Sequence, residues 1–262
     1  MIVSFGRPES LRKSLRALGN AHQVLVVDNA SPDGLVGFDE EFPEVRFIRL
    51  PKNFGLTKAL NIGTRAADGE YVLFLHDDTR IEGDAVIRLA DFLEARQDAG
   101  AVCPLLRTET GAAAPQVRAL PTPSAADPPL RPAEGSGEIV TECVLGAAIL
   151  FRSFFLRALR HIDERYGNYG SDIEACAQIK RASRKLIVLE SVEAVHGGLE
   201  SPMKASALEA DRAAGTAAFI GKHHGFVTGI LYRLRAGLVG LFTFRFSVVA
   251  GALGGTKIDG TH

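Results

Sequence analysis

Short β-rich runs alternate with amphipathic stretches through the first hundred residues, and no other feature constrains the fold of this chain as strongly. Ile2 to Phe5, Val24 to Val27, Val45 to Arg49, Tyr71 to Leu75 and Ala101 to Leu105 are apolar, rich in branched residues and short enough to be strands. Between them, Pro8 to Leu18 sets Leu11, Leu15 and Leu18 on one helical face, and Leu56 to Ala67 and Asp84 to Ala95 are similarly amphipathic. This alternation predicts an α/β fold with a mostly parallel central sheet and helices on both faces. Ligands of such sheets bind beyond the carboxyl ends of the strands, so the chemistry is expected where these runs stop.

Residues 107 to 138 break the rhythm with six prolines and the run Glu134-Gly135-Ser136-Gly137, which predicts a long irregular loop and a candidate lid. Beyond it we expect a strand over Val144 to Phe151, a helix over Ser171 to Ala182, a strand over Leu186 to Leu189 and a helix over Ala205 to His224. From Phe226 to Leu253 the chain is apolar but interrupted by Arg233, Arg235 and Arg245. That pattern suits a helix lying in a membrane interface better than one crossing it; a helix packed on the domain with outward arginines fits equally. At 262 residues one large core is affordable, so we expect a catalytic domain over residues 1–204 and a helical appendage over 205–262.

The 30 Lys+Arg nearly balance the 31 Asp+Glu, which leaves no basic field for nucleic acid. Cys103, Cys143 and Cys176 are widely spaced and odd in number, which fits neither a disulfide framework nor a zinc site. The start lacks a basic segment followed by a long apolar one, so the expected location is the cytoplasm, with the inner face of the plasma membrane as an option for the appendage.

Five segments carry residues suited to chemistry. Asp28 ends a strand before the turn Asn29-Ala30-Ser31-Pro32-Asp33-Gly34; it suits a nucleoside hydroxyl or a simple turn cap. Asn53-Phe54-Gly55 leads into a helix containing Asn61, where Gly55 permits close backbone approach and the helical amides suit a pyrophosphate. Asp77 and Asp78 follow directly on an apolar strand, a costly place for carboxylates that a hard divalent cation or a solvated Asp-Asp turn would explain. Asp172 and Glu174 open a helix, as dipole-favoured residues or as a general base. His196 leaves a strand before Gly197 and Gly198 and could ligate a metal.

Taken in order, Val-Ser-Phe-Gly-Arg-Pro-Glu, Val-Val-Asp-Asn-Ala-Ser-Pro-Asp-Gly, Asn-Phe-Gly with Asn-Ile-Gly, Leu-His-Asp-Asp-Thr-Arg-Ile, Gly-Ala-Ala-Ile-Leu-Phe-Arg, Gly-Ser-Asp-Ile-Glu-Ala-Cys and Val-His-Gly-Gly resemble family 2 of the inverting GT-A glycosyltransferases. The resemblance is especially to the rhamnosyltransferase-like bacterial members and covers about residues 1 to 200. It implies a GT-A fold with C-terminal helices and a dTDP- or UDP-linked sugar as donor. It also implies a divalent cation, Mn2+ or Mg2+, and a glycan or lipid-linked hydroxyl acceptor in cell-envelope or polysaccharide synthesis. By the same resemblance Asp28, Asn53, Gly55, Asn61 and Asp77 lie near the nucleotide, Asp78 and His196 hold the metal, and Asp172 is the base. Two positions depart from the family pattern. His76 stands where many members have the first acid of the metal motif, and Ser171 where many carry Glu, so Glu174 becomes a second candidate base. A catalytically silent sugar-nucleotide-binding or assembly subunit is the rival reading. A nucleotidyltransferase is disfavoured because Ser4-Phe5-Gly6-Arg7-Pro8 has a single glycine after the first strand.

Overall fold

The structure is a computed structural model that describes residues 1–158, 161–198 and 201–259. The chain opens with β1 (Ile2–Ser4), α1 (Pro8–Leu18), β2 (Leu25–Asp28), α2 (Phe38–Glu41), β3 (Arg46–Arg49), α3 (Leu56–Ala66) and β4 (Tyr71–His76). Their strands run parallel, with β1 between β2 and β4. Next come β5 (Thr79–Arg80), α4 (Gly83–Ala95) and β6 (Ala99–Arg107). A run of short strands follows: β7 (Pro115–Arg118), β8 (Arg131–Pro132), β9 (Glu138–Thr141), β10 (Cys143–Val144) and β11 (Ala148–Arg152). Then α5 (Ser153–Ala158), α6 (Ser171–Arg181) and β12 (Lys185–His196) lead to α7 (Ala205–His224), α8 (Phe226–Phe242) and α9 (Phe246–Gly254). Residues 260–262 of the expected appendage lie outside the described residues.

The main sheet runs β3-β2-β1-β4-β11-β6-β12-β5. It is mixed rather than purely parallel, because β11 inserts antiparallel between β4 and β6. Two apolar clusters cover its faces. One gathers α1 and α4 through Leu11, Leu15 and Leu89; the other gathers α6 and α7 through Ile173, Ile179, Phe219 and Ile220.

Three expectations need correcting. The segment 107–138 is not irregular throughout, since β7 pairs with β8 and β10 in a small antiparallel sheet and β9 joins β12. Gln116, fully buried, pins this sheet to β6 by donating to the Pro104 carbonyl at 2.7 Å and accepting from the Leu106 amide at 3.1 Å. Pro115 and Pro132 are cross-strand partners at its margin, where a missing N–H costs no ladder bond. The strand expected over Val144 to Phe151 is divided, because the chain turns at Gly146 over Asp172; a Cβ there would lie 3.0 Å from that of Asp172. Finally, α7 belongs to the second core cluster, and residues 226–253 form two helices rather than one.

Glu174 lies inside this frame rather than beside Asp172. Residues two apart on a helix face opposite sides, and Glu174 turns inward to 1% exposure. Its carboxylate accepts from Tyr166 Oη at 2.9 Å, Gln178 Nε2 at 2.5 Å and Lys222 Nζ at 2.7 Å, and meets His223 Nε2 at 2.8 Å. It therefore ties α6 to the C-terminal end of α7. Burial acts to raise this carboxyl, but the hydrogen bonds from His223, Lys222, Gln178 and Tyr166 outweigh it and hold it down to about 2. A depressed carboxyl contributes stability above its unfolded value of 4.5, and that contribution is lost as the pH falls toward 2. Glu174→Gln should therefore cost about 3 kcal/mol in urea unfolding at pH 7, with the deficit shrinking toward zero by about pH 2. Equal midpoints at pH 7 would refute the anchoring role.

Candidate functional site

β4 ends at His76, and the turn that follows carries Asp77 and Asp78, which make different contacts. Asp77 turns toward the exit of β1, where its Oδ2 accepts from Ser4 Oγ at 3.3 Å and from the Phe5 amide at 3.4 Å, and its Oδ1 lies 3.1 Å from Arg7 Nη1. The same Arg7 nitrogen lies 3.2 Å from Asp78 Oδ2. Arg7, part of the turn after β1, thus bridges both acids, a role its place in the sequence does not announce.

Asp78 also meets the far end of β12. Antiparallel pairing sets His196 opposite Thr79, the Gly197 amide donates to the Asp78 carbonyl at 2.7 Å, and His196 Nε2 lies 3.4 Å from Asp78 Oδ1. His76 completes the group, with one ligand atom from each of His76, Asp78 and His196 lying within 4.8 Å of one another. Burial pushes the His76 imidazole down to about 4, so it is neutral and able to ligate at neutral pH. Two histidines and a carboxylate suit a borderline or hard divalent cation such as Mn2+ and fit the expected metal. The expected pair, Asp78 and His196, is thereby enlarged by His76, which had been read only as a departure. Its place at the strand end, two residues before Asp78, was the signal.

Two cavities meet at His76, which lines both. One, of about 190 Å³, holds Arg7, Asn29, Asn53 and Asp77, with Ser201, Pro202 and Met203 along one side. Asn29 Nδ2 donates to Asn53 Oδ1 at 2.8 Å, which sets the pair in its wall. The other, of about 200 Å³, holds Asp172, Arg118, Tyr169 and Arg212 over an apolar floor. Asp172 is held there at the start of α6, its Oδ1 accepting from the Ile173 amide at 2.8 Å and its Oδ2 from the Gly146 amide at 3.3 Å.

Other expected nucleotide contacts have structural duties. Asp28 is 2% exposed and its Oδ1 accepts from the Ser31 amide at 2.9 Å, closing the turn, while its neighbour Asn29 lines the cavity. Asn61 is buried against the 161–164 turn, bonding both the amide and the carbonyl of Ile162 at 3.0 and 2.7 Å. Gly55 does permit a close approach, but by the chain itself. A Cβ there would sit 2.0 Å from the Ile258 carbonyl oxygen, and the first amides of α3 donate to Asn168 Oδ1 and the Gly167 carbonyl. The Leu56 and Thr57 amides at that terminus are thereby committed within the chain.

Burial pushes Asp77 up from 3.8 to about 6 despite Arg7. A raised carboxyl favours the fold below its unfolded value and loses that advantage as the pH climbs through about 6. In chelator, Asp77→Asn should be more stable than wild type by up to about 3 kcal/mol at pH 8 and about equal at pH 4. A thermal-melting difference that is flat across this range would contradict it.

Comparison with known proteins places this geometry. A curated N-acetylglucosaminyltransferase of Mesorhizobium japonicum is 42% identical over 73 residues, 26% of this chain and only 17% of that protein. Among solved structures, S. aureus TarS 1-349 in complex with UDP-GlcNAc superposes with a TM-score of 0.61 at 15% identity, covering 93% of this chain and 70% of that one. A Pyrobaculum calidifontis mannosyltransferase in complex with GDP-Man and Mn2+ gives 0.58 at 18%, covering 97% and 73%. GalNAc-T7 with UDP, GalNAc and Mn2+ gives 0.60 at 15%, covering 74% of this chain but 42% of that one. These likenesses establish the GT-A architecture. The model of the family described as "Glycosyl transferase family 2" matches residues 1–155, from β1 into α5 and more than half of the sequence, and the chain belongs to that family.

Proposed function

We propose that this chain is an inverting glycosyltransferase that moves one sugar from a UDP- or dTDP-linked donor to a hydroxyl of a glycan or lipid-linked acceptor, in cell-envelope or polysaccharide synthesis. The observation that carries the reading is the position of the His76, Asp78 and His196 cluster at the junction of two cavities, with Asp172 in one and Asn29, Asn53 and Arg7 in the other. A nucleoside diphosphate with its base in the cavity of Asn29 and Asn53 brings its phosphates to the junction. The transferred sugar then faces Asp172. The solved relatives that hold UDP-GlcNAc or GDP-Man support a nucleotide-sugar donor.

His76, Asp78 and His196 would hold a divalent cation, which would supply positive charge beside the departing diphosphate. Arg7 adds a fixed guanidinium on the same side. Asp172 accepts the proton of the acceptor hydroxyl as its oxygen bonds to the anomeric carbon. The bond from that carbon to the phosphate oxygen breaks, and the nucleoside diphosphate leaves with the electron pair. Attack from the side opposite the leaving group inverts the configuration, and no covalent enzyme intermediate is required. Glu174, turned into the core, is left as an anchor.

The C-terminal hairpin supports contact with a membrane surface. In α8 the buried residues are Gly229, Gly237 and Gly240, while Phe226, Leu231, Leu234, Leu238 and Phe242 are exposed. A soluble hairpin buries the bulky residues; small residues inside and large ones outside is the arrangement of helices packed in lipid. From Arg212 to Ile258 there is no Asp or Glu, whereas Arg233, Arg235 and Arg245 punctuate the apolar face. No helix among the described residues is long and apolar enough to cross a bilayer, so a hairpin lying in the headgroup region fits best.

Calorimetric titration with UDP and with dTDP, each with and without Mn2+, tests the donor site; binding should require the metal and vanish in Asp78→Ala. Asp172→Asn should bind the same nucleotide normally and lower kcat by about a thousandfold. No nucleotide binding would favour the silent-subunit reading. For the hairpin, the protein should co-sediment with vesicles containing anionic lipid and be released by high salt or by Leu231→Asp with Leu234→Asp. Indifference to vesicle charge would remove the membrane assignment.

A further inference from the structure

We propose that Arg118 and Arg212 form a clamp for a phosphate ester on the acceptor, and that Asp127 of this chain occupies the clamp in the free protein. This rests on the transferase reading and assigns a chemical class to its acceptor.

Arg118, on β7, has a side chain only 6% exposed, yet it faces the cavity of Asp172. A guanidinium offers donors in a rigid fork, and burying it is costly unless they are matched. Its Nε is buried with no hydrogen-bond partner among the described residues. Its carboxylate neighbours stand off, with Asp127 at 3.6 Å and Asp172 at 3.8 Å, whereas a seated charge-assisted pair closes to about 2.8 Å. The charge is balanced and the Cys143 thiol bonds the guanidinium, but no carboxylate is seated in the fork.

Arg212, from α7, lines the same cavity. Both guanidiniums lie over the Tyr169 ring, at 5.8 Å for Arg118 and 5.1 Å for Arg212. This platform is fixed from behind by Asp211, which is buried and accepts the backbone amides of Asn168 and Tyr169 at 2.9 and 2.7 Å. What lies between the arginines is Asp127, from the Pro-rich segment. It is 45% exposed, 3.3 Å from Arg212 and bonded to Tyr169 Oη at 3.0 Å.

A loop carboxylate loosely held by two arginines marks an anion seat. While Asp127 is present, two guanidiniums face two carboxylates. Once it swings out with its loop, they face Asp172 alone, and a phosphate restores the balance with more acceptor oxygens than a carboxylate has. The seat is beside the proposed base, so an anchored phosphate would hold the acceptor close to the point of attack. The adjoining wall carries Leu130, Leu145 and Ile149, which suits an apolar chain on the ester.

The test is titration calorimetry of the full chain with geranyl phosphate, glucose 1-phosphate and geraniol. Wild type should bind at least one phosphate ester. Arg212→Gln, a half-exposed position that the fold tolerates, should weaken that binding about tenfold, the loss of one charge-assisted contact. Asp127→Asn should tighten it about threefold by removing the internal competitor. Asp78→Ala should leave it unchanged, which separates the clamp from the donor site. Preference for geranyl phosphate supports a lipid-linked acceptor, and preference for glucose 1-phosphate a sugar phosphate. Geraniol binding as tightly as its phosphate, or Arg212→Gln binding like wild type, would overturn the clamp even if nucleotide binding confirms the donor site.

Discussion

Two carboxylates stand side by side at the end of an apolar strand, Asp77 at 6% and Asp78 at 3% exposure, and the surroundings of the site answer that burden. Burying charge without partners is prohibitive, so each surrounding element supplies something. The turn after β1 supplies Arg7 between the two acids, β1 supplies the Ser4 hydroxyl, and α1 supplies Ser14, whose Oγ donates to the Asp77 carbonyl at 3.0 Å. The end of β12 supplies His196. These elements are far apart in sequence, and the acids draw them to one point. A cluster able to hold a cation is thereby built into the packing of the domain.

A second buried carboxylate does comparable work without chemistry. Asp211 accepts the amides of Asn168, Tyr169 and Ile258 and so joins α7, the turn before α6 and the C-terminal tail. Gly167 lies so close that a Cβ would overlap the Asp211 Oδ1. Through this junction the helices beyond the sheet set the position of Tyr169, and hence the mouth of the cavity that holds Asp172. The C-terminal helices are therefore part of the site's framework as well as the proposed route to a membrane. Their close packing rests on glycine, as at Gly229 against Gly221 and Gly251 against the Ala210 carbonyl, and that closeness leaves the bulky side chains facing outward.

The alternation of strand and helix over the first hundred residues was legible because it arises from local periodicity, which a chain states residue by residue. The acids after β4, the base candidate at the start of α6 and the histidine at the end of β12 were legible for the same reason: each is a polar residue where an apolar pattern stops. What periodicity could not show was direction. Asp172 and Glu174 look equivalent in sequence, and only the helix, which turns residues two apart to opposite sides, separates a cavity carboxylate from a core anchor. Gly55 offered room for a close approach, but the tail that fills the room comes from two hundred positions away.

By itself, then, the sequence determined the architecture, the strand ends at which chemistry is placed and the charge each end carries, since these depend on propensity and pattern. The tertiary structure alone decided which of those residues meet. The β5–β12 pairing brought His196 to Asp78, the turn after β4 joined His76 to them, and the packing of α7 set Arg212 against Arg118 over one tyrosine ring. Such meetings depend on distances between elements remote in the chain, and those distances are set by how two core faces pack, which no local pattern encodes.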